Sequence, residues 1–258
     1  MAAPLAFVTD FGSADTYAAA LVAACWRVDP GLHAIVGMHG VPPGDVLGGA
    51  YHVKALARAL PAGAVVCAVV DPGVGTERGA LAVEAAGIRC VAPDNGLLSY
   101  LWSEAELQGR RCVVLRTPAD ASATFHGRDL FAPVAAELAV GARLDEVGAP
   151  CSEPPLLLDA AFAHVDGEVA TGVVCVVDGF GNAITTVRSC DVREGRVVGA
   201  EWDGGATVSV VRTYADIADE SLAILLGSAG HWEVAARSQP AVSLGGPAHG
   251  AVVRVLLA

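Results

Sequence analysis

The run Ala64-Val65-Val66-Cys67-Ala68-Val69-Val70 stops at Asp71-Pro72-Gly73-Val74-Gly75-Thr76-Glu77-Arg78. Seven apolar residues without a polar break predict a buried strand. It ends in a carboxylate, a Pro-Gly turn and a second glycine, and then Glu77 and Arg78 appear before a further apolar run, Ala80-Leu81-Ala82-Val83. Charges beside a buried sheet are costly unless paired or used. The stretch therefore reads either as a tight turn with solvated charges or as a loop that carries function.

A chain of 258 residues holds one large domain or two small ones. With 53% hydrophobic and 17% charged residues it builds a large core and is not disordered. Its 30 glycines and 14 prolines point to many turns and substantial β content. A net charge of -12 and the lack of a basic run make nucleic acid a poor partner and suit a cationic or neutral ligand. The N-terminal run to Val8-Thr9-Asp10 has no basic flank and reads as a strand, not a signal peptide. No stretch reaches the ~20 apolar residues of a spanning helix, so no membrane partner is expected. The seven cysteines form no CxxC pair, and Cys67, Cys90, Cys112 and Cys175 lie in apolar strand-like runs. The set reads as reduced, buried thiols of a cytoplasmic protein.

Periodicity predicts strands at Leu5–Thr9, His33–Val36, Ala64–Val70 and Cys112–Leu115, and a hairpin of Ala80–Ala85 with Ile88–Ala92 around Ala86-Gly87. It predicts helices over Asp15–Val28, from an Asp45 cap to about Leu60, over Leu97–Trp102 and over Leu130–Val140. Beyond Gly141 the texture changes to prolines and then to strands at Glu168–Val177, Ala183–Val187, Ala206–Val211, Leu222–Leu226, Trp232–Ala236 and Val252–Leu256. That pattern gives an N-terminal α/β domain over residues 1–150, a linker over 151–167 and a C-terminal all-β domain over 168–258.

Three carboxylates follow apolar strands: Asp10, Asp71 and Asp94. In an open, mostly parallel sheet, ligands bind beyond the carboxyl ends of the strands, so parallel strands would gather the three on one rim. Asp is also common in turns, but Arg78 and the His126-Gly127-Arg128-Asp129 loop strengthen the reading as a site. No phosphate loop is present, and Arg78 stands where a dinucleotide fingerprint needs its third glycine. GxSxG is absent, and no nucleophilic Ser or Cys stands out. Carboxylates can grip a ribose diol by hydrogen bonds or a sulfonium or ammonium by charge. An Asp–Arg–His set suits positioning or polarising water. A hard-metal reading of Asp10, Asp71, Asp94 and His126 stays open, although HxH, HExxH and DxD are missing. In the second domain, Asp178-Gly179-Phe180-Gly181-Asn182 and Gly227-Ser228-Ala229-Gly230 read locally as turns.

In order along the chain, Thr9-Asp10-Phe11-Gly12 with Asp15 and Tyr17, Val70-Asp71-Pro72-Gly73-Val74-Gly75 with Arg78, Ala92-Pro93-Asp94-Asn95-Gly96-Leu97-Leu98, Thr124-Phe125-His126-Gly127-Arg128-Asp129, Asp178-Gly179-Phe180-Gly181-Asn182 and Gly227-Ser228 resemble the S-adenosyl-L-methionine hydrolases. These adenosine-forming hydroxide adenosyltransferases are relatives of the fluorinases and chlorinases. The resemblance implies an α/β protein whose N-terminal α/β domain has a central, mostly parallel sheet and whose smaller C-terminal all-β domain is barrel-like. It implies a homotrimer with each site at a subunit interface, and S-adenosyl-L-methionine as substrate with no cofactor and no metal. Asp71, Arg78 and His126 would be the water-activating set. Asp10 would hold the ribose, Asp15, Asp178 and Ser228 the methionine part, and Asn182 the adenine with Phe180 packed nearby. Tyr17, Asp94 and Asn95 complete the substrate-binding residues. Gly44 stands where relatives carry an aromatic, and Ala229 where halogenating relatives carry an arginine. A halide-dependent 5′-halo-adenosine synthase and a non-catalytic nucleoside-binding protein are the alternatives.

Overall fold

The computed structural model describes residues 2–105, 109–205 and 207–258. The chain divides into two compact units, Met1–Leu158 and Asp159–Ala258. No helix among the described residues is long and apolar enough to cross a membrane.

The first unit runs β1 (Leu5–Thr9), α1 (Tyr17–Val28), β2 (Ala34–Met38), α2 (Val46–Ala59), β3 (Val65–Val69), β4 (Ala80–Ala85), β5 (Ile88–Pro93), α3 (Ser99–Glu104), β6 (Arg111–Leu115), α4 (Ala132–Val140), α5 (Leu144–Val147) and β7 (Gly148–Pro150). The sheet order is β2-β1-β3-β5-β4-β6-β7. It is parallel from β2 to β5 and antiparallel beyond. The change of direction comes from the tight Ala86-Gly87 connection, which returns the chain as a hairpin rather than a crossover.

β1 and β3 are buried at every residue. Phe7, Val65 and Cys67 face a core shared with α1 and α4, while Val8, Val66 and Ala68 face a second core shared with α2 and α3. Two covered faces explain the uninterrupted apolar runs, since alternation would place polar groups in one core or the other. Each Val, Leu or Phe so buried contributes about 1.5–3 kcal/mol relative to exposure. At the start of α2, Asp45 accepts a hydrogen bond from the Gly48 amide at 2.9 Å, the expected cap.

The cysteine expectation needs correction. Cys112 and Cys151 are joined as a disulfide, with Cα atoms 5.4 Å apart. Cys151 follows β7, which pairs with β6, and its amide bonds the Cys112 carbonyl at 3.0 Å, so strand pairing brings together two residues 39 apart in sequence. Cys25, Cys67, Cys90 and Cys175 are buried free thiols, and Cys190 is exposed. Burial pushes the Cys25 thiol up to about 11, which keeps it protonated and inert.

The second unit contains β8 (His164–Asp166), β9 (Val169–Val177), β10 (Ala183–Arg188), β11 (Val197–Trp202), β12 (Val208–Ser209), β13 (Leu222–Leu226), β14 (His231–Ala236) and β15 (Val252–Leu257). Their order is β12-β11-β15-β9-β10-β14-β13, with β8 added beside β9, and all the strand pairs are antiparallel. A bridge from Val210 to Ile224 of β13 brings the two ends of this path together and gives the unit its barrel-like form. Trp232, Val234, Val253 and Val255 fill its core. β11 is not expected from the sequence, because Gly199 and Glu201 interrupt its apolar pattern. The strand expected over Ala206–Val211 is confined to β12, and Ala206 itself lies outside the described residues.

Candidate active site

Asp10, Asp71 and Asp94 follow β1, β3 and β5, which are adjacent and parallel. The three carboxylates therefore share the carboxyl rim of the parallel half of the sheet, where open α/β sheets bind ligands.

Asp71 anchors a network there. Arg78 Nε donates to both Asp71 oxygens at 3.0 Å, and Nη2 makes a further short contact with Oδ2. The pair is sealed from water, with side-chain exposures of 5% for Asp71 and 10% for Arg78. Arg78 Nη2 also lies 3.0 Å from His126 Nδ1, and the guanidinium stacks 5.1 Å from the Phe131 ring centroid. A guanidinium only donates, so Nδ1 accepts and the His126 proton resides on Nε2. Nη1 reaches the Gly79 carbonyl at 3.4 Å. With five N–H groups on the guanidinium, one Nη1 hydrogen is left without an acceptor among the described residues.

The local chain explains how these groups meet. Gly75 has φ +80°, and a Cβ there would collide with the Ala123 carbonyl, so only glycine lets the 71–78 loop seat on the segment leading to His126. After His126 comes one turn of π-helix, Gly127–Phe131, before α4. The helix thus starts three residues ahead of its expected beginning at Leu130, and the wider turn sets Phe131 beneath Arg78. Arg128 and Asp129 do not join the network. They pair with each other at 2.6 and 2.7 Å, Asp129 caps the Ser122 amide, and the Arg128 guanidinium holds the Asp129 carboxyl below its usual range.

Asp10 accepts the Gly44 amide at 2.9 Å. Gly44 has φ +74°, and among the described residues the one atom within 4 Å in its side-chain direction is Pro72 Cβ at 3.9 Å, which leaves open space beside Asp10 and the 71–78 loop. His39 supports the same rim: Nδ1 lies 2.8 Å from Thr9 Oγ1, its carbonyl accepts the Gly12 amide, and burial lowers its pKa. Asp15 is exposed in the turn before α1. Tyr17 packs edge-on against Phe11 and Phe125, at 6.0 and 5.3 Å, and so joins the residue after Asp10 to the residue before His126.

Two residues expected at the substrate also brace the fold. The sequence places Asn95 among them, and its Nδ2 donates to the Val70 carbonyl at 2.8 Å and its Oδ1 accepts the Leu97 amide at 3.2 Å. Both ends of the amide are thereby used to tie the end of β3 to the turn after β5. Asp94 Oδ1 accepts the Leu156 amide at 2.8 Å, which fastens the segment after the disulfide onto the rim. No group of three or more His, Cys, Asp or Glu residues suited to a metal ion occurs among the described residues.

In the second unit, Asp178 organises the turn between β9 and β10. Its carboxylate accepts the Phe180 and Asn182 amides at 2.9 Å and Asn182 Nδ2 at 3.0 Å. Phe180 is left 83% exposed, a large apolar ring with little cover in a single chain. Ser228 is exposed in the turn between β13 and β14.

Residues 5–148 match the N-terminal domain model of the SAM (S-adenosyl-L-methionine) hydroxide adenosyltransferases, and residues 172–254 match the C-terminal one. This chain belongs to the SAM hydroxide adenosyltransferase family. Among the hydroxide adenosyltransferases, a relative from Salinispora tropica named (R)-S-adenosyl-L-methionine hydrolase is 40% identical over 258 residues, covering 97% of each chain. A relative of the same name from Thermus thermophilus is 38% identical, covering 98% of this chain and 99% of its own. A fluorinase from an Actinoplanes species is more distant, at 28% identity over 74% of this chain and 73% of its own. A solved structure from Thermotoga maritima superposes with a TM-score of 0.85 at 28% identity, over 98% of this chain and 99% of that one. Phe131, which carries the Arg78 guanidinium, escapes sequence reasoning, because an aromatic beside a charged motif looks like any core residue.

Proposed function

We propose that this chain hydrolyses S-adenosyl-L-methionine to adenosine and L-methionine by attack of water or hydroxide on the ribose 5′ carbon. The observation that carries the reading is the buried Asp71–Arg78–His126 network with its one unspent guanidinium hydrogen, in a chain of this family. Attack at the 5′ carbon expels a neutral thioether, so no acid need protonate the leaving group. The remaining task is to hold an oxygen nucleophile in line with the carbon–sulfur bond, where orientation supplies much of the acceleration. The free Nη1 hydrogen is the donor for that oxygen, and the guanidinium charge favours its hydroxide form, with the proton released to bulk water. Asp71 fixes the guanidinium plane. His126, accepting at Nδ1, keeps Nε2–H as a second donor.

The ribose hydroxyls rest on Asp10, the methionine part on Asp15, Asp178 and Ser228, and the adenine on Asn182 with Phe180 and Tyr17 packing nearby. No step calls for a cofactor or metal, and nothing in the acidic surface favours nucleic acid or an anionic membrane. We place the reaction in the cytoplasm, where this substrate is made and used. The working form is a homotrimer in which a neighbour's Phe180 loop completes each site. The exposure of Phe180 supports this, and light scattering on the purified chain is expected to give about three times 26.1 kDa. A monomeric mass with full activity would remove the shared site.

Incubation with S-adenosyl-L-methionine, followed by chromatography, is expected to give adenosine and methionine in equal amounts. Appearance of a 5′-halo-adenosine on adding chloride or fluoride would move the chain to the halogenating branch. Tight calorimetric binding without turnover would make it a binding protein.

A further inference from the structure

The Cys112–Cys151 disulfide anchors a short strap that ends on the carboxyl rim. Only Ser152-Glu153-Pro154-Pro155 separate Cys151 from Leu156, and consecutive prolines stiffen that stretch. Beyond it the Leu156 amide donates to Asp94 Oδ1 at 2.8 Å, and the Leu158 amide to Ser99 Oγ at 2.9 Å. A Cβ on Gly96 would collide with the Leu158 side chain, so the strap lies directly on the turn after β5. Asp94 in turn touches the loop that carries Arg78. Its amide donates to the Gly79 carbonyl at 2.9 Å, the same carbonyl that Arg78 Nη1 reaches at 3.4 Å. A Cβ on Gly79 would press on the Asp94 side chain at 3.1 Å.

Cys112 and Cys151 are half-buried and within reach of a small thiol, whereas Cys25, Cys67, Cys90 and Cys175 are buried. Disulfides of cytoplasmic proteins are typically transient and redox-sensing rather than permanent. We propose that the Cys112–Cys151 bond is a redox catch on the active site. Closed, it holds the strap and with it Asp94, a positioning residue, against Gly79 and so fixes the Arg78 donor. Open, it releases the strap, and turnover slows. β6 and β7 stay paired by hydrogen bonds, so opening loosens the strap without unfolding the unit. The proposal rests on the proposed function, with its cytoplasmic placement, and adds a control to it. A dithiol supplies the two electrons. Its thiolate attacks one sulfur of the bond, and its second thiol resolves the mixed disulfide. The dithiol is oxidised to a disulfide, and its two protons pass to Cys112 and Cys151 as thiols.

After treatment with oxidised glutathione, the denatured chain is expected to take up five alkyl groups, and seven after dithiothreitol. Reduction of the native chain by dithiothreitol is expected to lower kcat for S-adenosyl-L-methionine about tenfold, the equivalent of one hydrogen bond lost, with the Michaelis constant within about twofold. The rate is expected to return on reoxidation. Hydrogen exchange of residues 152–158 is expected to quicken on reduction, while that of β1 and β3 does not. Cys112→Ser with Cys151→Ser is expected to keep the reduced rate whatever the reductant. If that variant does not fold, the reduction cycle on wild type carries the test. A bond that serves only as a staple would lower the thermal midpoint on reduction and leave kcat unchanged at temperatures well below it. That result, or seven alkylated thiols after oxidised glutathione, would overturn the proposal and leave the hydrolase reading standing. If wild type shows no turnover in either redox state, the hydrolase reading fails and the proposal fails with it.

Discussion

Arg78→Ala is expected to lower kcat by about 10²–10³-fold, the usual cost of deleting one donor aimed at developing negative charge. Affinity for S-adenosyl-L-methionine measured by calorimetry should stay within a few fold, since the ribose, adenine and amino-acid groups are assigned to other residues. Arg78 spends four of its five N–H groups on Asp71, His126 and Gly79. The fifth is the donor proposed for the attacking oxygen. Lysine cannot reproduce that division, because an ammonium has no planar fork to span a carboxylate and an imidazole together. Arg78→Lys should therefore lose most of the rate too, although it keeps the charge. A lysine variant with near wild-type kcat would reduce Arg78 to a source of positive potential.

Asp71→Ala is expected to destabilise the protein by about 3–5 kcal/mol, the typical cost of leaving one member of a buried ion pair alone. Both partners are sealed from water and share a bidentate contact, so the guanidinium would be stranded on the aromatic face of Phe131. Changing both members to apolar residues of similar size, Asp71→Leu with Arg78→Met, should recover most of the stability and none of the turnover. Urea midpoints of the single and double variants separate the two roles. A double variant as unstable as the single one would mean that the network holds the loop through more than charge pairing.

The parts legible in the sequence are those where one physical cause dominates a stretch of chain. β1, β3 and β5 show as apolar runs because both faces of the sheet are covered, and Asp10, Asp71 and Asp94 show because each ends such a run. Asp45 shows because a helix start needs a cap, and Ala86-Gly87 because a hairpin needs a tight turn. The rest depends on contacts distant in sequence. The Cys112–Cys151 bond needs β7 to pair with β6, and neither the 39-residue spacing nor the short Gly148–Pro150 strand signals it. The π-turn at Gly127–Phe131 is one residue of extra hydrogen-bond register, with no composition of its own. The bond from Asn95 to the Val70 carbonyl is not legible either, because it depends on β3 lying beside β5. Glu233 shares β14 with His231, and nothing nearby in sequence announces Tyr214 as its hydrogen-bond partner.

The reaction run in heavy-oxygen water tests the central claim most directly. Attack by solvent on the 5′ carbon predicts adenosine with one heavy oxygen in its 5′ hydroxyl and methionine with none, observed by mass spectrometry. Unlabelled adenosine, or consumption of S-adenosyl-L-methionine to a product that carries no solvent oxygen at the 5′ carbon, would contradict the account.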